Sequence, residues 1–141
     1  MKTFLSVNGC VYALDDLVSA SRTIVTVGKE SDEAYNVVAT GAAGELFQCQ
    51  LTRSGDGWLL QNGQWRTECP RGIRSRLQHA CQMCQGRCVN LRTARPNYYW
   101  RFPETATLLN GDPLPAEGTI IKDGDLISFQ DTVIAVLQEH A

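Results

Sequence analysis

The chain has 141 residues, 43% hydrophobic and 20% charged, with a formal charge of −2. That composition excludes a disordered chain, and the length suffices for one domain with a core of its own. No apolar run approaches the roughly 20 residues of a membrane span, which excludes a helical membrane protein.

The N-terminus, MKTFLSVNGCVYALDD, is a poor secretory signal, because its apolar patch is short and acids follow it. This predicts a cytoplasmic chain whose six cysteines stay reduced. In that setting clustered thiols point to metal more than to disulfides. TFLSV and CVYAL flank Asn8-Gly9, a two-residue hairpin signal. RTIVTVG is β-branched and ends at Gly28, and AYNVVATG ends at Gly41. In LFQCQLTR, Phe47, Cys49 and Leu51 alternate with Gln48 and Gln50, which predicts a strand with an apolar and a polar face. SGDG then turns into WLLQNG.

Residues 67–106 break this pattern. Ile73, Leu77, Ala80 and Cys84 follow a helical period, Gly86 ends it, and Pro96 and Pro103 bracket NYYWRF, an aromatic run that reads as a strand. Beyond residue 106, ATLLNGDPLP and GTIIKDGDLISFQDTVIAVLQ return to short strands, with Asp123-Gly124 and Gln130-Asp131 between apolar runs. Many short strands at this spacing predict an all-β sandwich or barrel. Residues 1–66 and 107–141 form that body, and 67–106 are a partly helical insertion.

Four of the six cysteines lie in the insertion: Cys69, Cys81, Cys84 and Cys88. Zinc takes four soft ligands in a tetrahedron, and the core CQMCQGRC supplies three thiolates around a tight turn. The expected cofactor is one structural Zn2+ on Cys69, Cys81, Cys84 and Cys88, with His79 as an alternative fourth ligand. Competing readings are three buried thiols on one helix face, a redox pair at Cys81 and Cys84, and an iron–sulfur centre. Cys10 and Cys49 sit in strand patterns and read as core.

The charge is unevenly placed. From Arg66 to Arg101 there are eight arginines, no lysine and one acid, so the segment carries +7 and the remainder −9. Four thiolates on one zinc ion leave the segment at +5. Arginine forks hold phosphate or carboxylate through paired hydrogen bonds, so this density points to an anionic ligand. Tyr98, Tyr99 and Trp100 beside Arg95 and Arg101 could stack bases, the nucleic-acid reading. The plain alternative is a solvated face, or one paired with the chain's own acids.

The strand pattern resembles the forkhead-associated (FHA) domain, a β-sandwich that binds phosphothreonine peptides through its loops. The resemblance rests on LLNGDPLPAEGTIIKDGDLISFQDTVIAVL near the C-terminus, on TIVTVGK, and on LFQCQLTRSGDGWLL. It implies that Lys29 stands where the family has arginine, Glu45 where it has a phosphate-contacting serine, and Gln48 where it has histidine. QNGQWRT is a shifted counterpart of the family's Ser-x-Asn-Gly-Thr stretch. The binding residues expected from this are Lys29 and Glu45 on the sandwich, and Arg66, Arg71, Arg74 and Arg76 at the mouth of the insertion, where arginines supplement the altered phosphate contacts.

No enzyme is predicted. His79 and His140 are the two histidines, and no nucleophile–base pair can be assembled from the sequence. Asp123 and Asp125 in KDGD are turn residues rather than an acid–base pair. The reading is a non-catalytic module that docks a phosphorylated or acidic protein partner. A nucleic-acid binder and a structural subunit of a larger assembly are the alternatives.

Overall fold

The structure is a computed structural model, and it describes residues 1–20, 23–29, 36–41, 44–45, 47–66, 88–90 and 99–139. Among these the regular elements are strands apart from one helical turn, arranged as two packed sheets and a small third one.

Lys2–Val7 (β1) turns at Asn8-Gly9 into Cys10–Ala13 (β2). Both turn residues have positive φ, 49° and 82°, the geometry that matches the twist of a tight hairpin. A single helical turn, Leu14–Leu17 (α1), follows and buries Leu14, where the sequence reading continued a strand. Ile24–Gly28 (β3) and Val38–Ala39 (β4) run parallel. Cys49–Ser54 (β5) and Gly57–Asn62 (β6) form a six-pair hairpin around Gly55-Asp56. Gln64–Arg66 (β7), Cys88–Asn90 (β8) and Tyr99–Arg101 (β9) come next. Leu108–Leu109 (β10) and Asp112–Pro113 (β11) close around Asn110-Gly111, and Thr119–Ile120 (β12), Leu126–Phe129 (β13) and Thr132–Glu139 (β14) complete the order.

The first sheet runs β11-β10-β13-β14-β1-β2 and is antiparallel throughout; the second runs β12-β6-β5-β3-β4. The first strand pairs with the last, Lys2 opposite Glu139 and Ser6 opposite Ala135. Inward positions of the two sheets meet in one core: Leu5, Val7, Ile127, Phe129, Ile134 and Val136 from the first, and Val25, Val27, Cys49, Leu51, Trp58 and Leu60 from the second. Burying each of the larger side chains contributes roughly 1.5–3 kcal/mol before entropy is counted. This is the all-β sandwich expected from the strand spacing.

The third sheet has the order β7-β9-β8. Trp65 lies opposite Trp100, and Cys88 lies opposite Arg101. The aromatic run therefore is a strand, over Tyr99–Arg101. Gln64–Arg66, read from sequence as part of the sandwich, pairs with that strand and belongs to the third sheet. No helix among the described residues is long and apolar enough to cross a membrane.

Two cysteine readings separate here. Cys49 is fully buried at the core, as expected. Cys10 is exposed, against expectation, because β2 is the edge of its sheet and Cys10 is the residue just past the hairpin turn.

Candidate functional site

The end of the sandwich where β3 stops is built by backbone clamps. Gly28 ends β3, and its carbonyl accepts from the Thr40 N–H at 3.0 Å. The next residue, Lys29, is exposed, yet its main chain is held on both sides. Its N–H donates to the Glu45 carbonyl at 2.7 Å, and its own carbonyl accepts from Asn36 Nδ2 at 3.1 Å. The structure thus brings Lys29 and Glu45, two residues singled out from sequence, onto adjacent backbone.

Glu45 is fixed in turn. Its N–H donates to Gln48 Oε1 at 3.2 Å, and its Oε2 accepts from the Glu104 N–H at 2.7 Å. The carboxylate therefore caps a backbone donor of the segment that leads into β10. Beside it, Gly44 donates its N–H to Gln130 Oε1 at 3.2 Å. Gly44 has φ +80°, and a Cβ there would lie 2.6 Å from the Phe129 ring, so conformation and space both require glycine.

Beneath this surface lies a set of buried amides that the sequence reading did not identify. It placed Gln48 and Gln50 on a polar face; both are buried. Gln48 Nε2 donates to the Thr105 carbonyl at 2.8 Å and to Thr107 Oγ1 at 3.0 Å. Gln64 Nε2 lies at hydrogen-bond distance from the carbonyls of Val27 and Cys49 and from Asn36 Oδ1, at 2.8, 2.9 and 2.9 Å. Asn62 Oδ1 accepts from the Thr107 N–H at 3.0 Å. Gln50 Oε1 accepts from the Trp65 N–H at 3.1 Å, which ties the third sheet to the second. A buried amide must be paired or it destabilises the fold, and these pairings join β3, β5, β6, β7 and the 105–107 segment. The sequence signal was the density of amides, Gln48, Gln50, Gln61, Asn62 and Gln64, in strands that have few charges.

Burial also pushes the Cys49 thiol up to about 12, with a hydrogen bond from Thr107 opposing part of the rise. A thiol of that kind is neutral at physiological pH and unreactive.

The aromatic residues beside the site are packed together. Trp65 and Trp100 meet edge to face, with ring centroids 5.3 Å apart at 86°, and Phe102 meets Trp100 at 6.3 Å and 67°. Trp100 is buried, and its indole N–H donates to the Asn62 carbonyl at 3.1 Å. It is a packing residue rather than the open stacking platform that the nucleic-acid reading required. Phe102 is 41% exposed and lies two residues before Glu104, whose N–H meets Glu45.

Arg66 lies on β7, its backbone opposite Tyr99. Arg71, Arg74 and Arg76 lie outside the described residues, as do Cys69, Cys81, Cys84 and His79. Cys88 opens β8. No group of three His, Cys, Asp or Glu residues able to hold a metal is found among the described residues.

No protein-family model matches the chain, and no curated protein does. Solved structures do resemble it. An FHA domain from a structural and functional analysis of phosphothreonine-dependent FHA interactions superposes with a TM-score of 0.51 at 13% identity, covering 100% of both chains. The FHA domain of the CT664 protein from Chlamydia trachomatis superposes with a TM-score of 0.54 at 8% identity, covering 99% of this chain and 100% of that one. The strand order, the two packed sheets and this full-length correspondence give the chain an FHA-like β-sandwich fold.

Proposed function

We propose that the protein is a non-catalytic interaction module that takes a phosphothreonine-containing or otherwise acidic protein partner at the Lys29 end of the sandwich. The observation that carries this is the setting of Lys29: an exposed cation one residue beyond β3, with its backbone pinned to Glu45 and Asn36, on an FHA-like fold. A clamped backbone presents its side chain to a ligand with little ordering left to do, which favours binding. Lysine offers phosphate a point charge without the planar fork of arginine, so further contacts are needed. Arg66, Arg71, Arg74 and Arg76 are proposed to supply them from the insertion. Glu45 serves as a strut whose carboxylate is turned to the Glu104 N–H rather than as a phosphate ligand.

In the same reading, residues 67–106 are a separate module inserted between 1–66 and 107–141, held by one Zn2+ on Cys69, Cys81, Cys84 and Cys88. Four thiolates make a closed structural site, with no position open for catalysis. The start of β8 at Cys88, hydrogen-bonded through β9 to β7, supports a link between that site and the sandwich. Titration of matched phosphothreonine and unphosphorylated peptides tests the binding. A preference of about tenfold or more for the phosphorylated form, lost in Lys29→Ala, is expected. Equal affinity for the two forms removes the proposal. Elemental analysis tests the metal: one zinc per chain is expected, and Cys84→Ser should lower it. A full complement of metal in that variant excludes Cys84 as a ligand.

A further inference from the structure

The outer face of the first sheet is apolar where solvent should demand charge. An antiparallel sheet with one face on a core normally turns polar residues outward. Here the cross-strand register places Leu108, Ser128 and Val133 in one outward row. The next row is Leu126, Ala135, Ser6 and Val11. The third is Leu137, Phe4 and Ala13. No ionisable residue stands in the three rows. The large members are well exposed: Leu126 47%, Leu137 46%, Val133 56% and Val11 63%. The first charges along the face form a neutral cross-strand couple, Lys2 opposite Glu139.

We propose that this face is a homodimer interface, its occupant the same face of a second copy packed against it about a two-fold axis. Three features select a second copy. The first is area. The ten positions of the three rows, each about 7 Å by about 4.8 Å, cover roughly 340 Å² per chain, so a pair buries about 700 Å², the size of a weak, concentration-dependent interface. A patch of about this size on a monomer is often functional. The second is relief. Ala135 and Ser6 make a hollow in the central row, with Leu126 and Val11 at its ends and Val133 and Leu137 along the strand above and below. Small positions framed by large ones let two like faces interdigitate, as the inner faces of a sandwich do. The third is charge. The rows hold none, the flanking couple is neutral and the whole chain carries only −2, so two copies meet without strong repulsion.

Edge-to-edge association is disfavoured by comparison. The β11 edge carries Asp112 and Pro113, which block strand addition, and the opposite edge, β2, is four residues long. The face shares no residue with the Lys29 site, so this inference is independent of the function proposed above.

Sedimentation equilibrium of the full chain under reducing conditions, which prevent Cys10 from joining chains, tests the proposal. Up to about 100 μM, the mass should climb from 15.6 kDa toward twice that value. Ala135→Glu puts a charge into the hollow and Leu137→Lys puts one on the third row. Each should weaken association by about tenfold or more, while circular dichroism, and thermal unfolding at a dilution where the parent is monomeric, stay those of the parent. A wild-type mass that stays at 15.6 kDa over the whole range overturns the proposal, whether the face meets another protein or a lipid surface. A dimer unmoved by whichever of the two variants folds also overturns it.

Discussion

Gln48 shows how much a single polar side chain carries in this fold. It is fully buried, it accepts from Glu45 and it donates to Thr105 and Thr107. Gln48→Ala leaves the Glu45 N–H and the Thr107 hydroxyl without that partner, and should destabilise the protein by about 2–3 kcal/mol. A shift of the urea midpoint at unchanged slope is the check; an unaltered midpoint would mean that water replaces the amide at no loss. Cys49 and Cys10 give a second residue-scale contrast. Peptide mapping after alkylation of the native protein should find Cys10 modified and Cys49 protected until unfolding. Burial raises the folded Cys49 pKa from 9.0 to about 12, so its neutral form supports folding fully below pH 9. That contribution is lost as pH climbs from 9 toward 12, because the unfolded chain then gains by ionising the thiol. Cys49→Ala should flatten the alkaline limb of stability against pH. Burial of Cys49 was legible from the alternation of its strand, whereas burial of Gln48 and exposure of Cys10 were not, because those depend on which element covers the strand.

At the scale of elements, the hairpins were readable and the third sheet was only half so. Asn8-Gly9 and Asn110-Gly111 adopt positive φ throughout, which is what an Asn-Gly pair between apolar runs announces. Gln130 also takes a positive φ, 49°, without being glycine or asparagine. Its side chain accepts from the Gly44 N–H, a partner distant in sequence that helps hold the strained turn. The strand at Tyr99–Arg101 could be foreseen from its aromatics, but its pairing with Gln64–Arg66 could not, since the partners lie far apart in the chain. Trp100 is the pin of this small sheet, packed on Trp65 and bonded to Asn62. Trp100→Ala should remove about 3 kcal/mol from it. Hydrogen exchange should then quicken at β7 and β9 amides while β5 and β6 stay protected. Equal acceleration everywhere would show that the third sheet and the sandwich unfold as one unit.

Across the whole molecule, the pairing of the first strand with the last completes the first sheet, the two sheets pack through one core, and a loop end with Lys29 and an apolar outer face lie at separate places. If zinc staples residues 67–106, removing it should melt that segment and leave the sandwich standing, because the apolar core found among the described residues is built from residues outside it. With a strong chelator, a first thermal transition should fall or vanish while the tryptophan signal of the core at Trp58 keeps its midpoint. Collapse of both together would place the metal in the fold of the body. Strand alternation and turn dipeptides are properties of near neighbours, so the amino-acid order alone determined an all-β sandwich. Burial of Gln48, Gln50 and Gln64, exposure of Cys10, the joining of Lys29 to Glu45 and the uncharged outer face depend on which distant strand lies beside or above each residue. Those were decided only when the sheets packed, because a side chain's environment is set by what covers it, and covering is a property of the assembled fold.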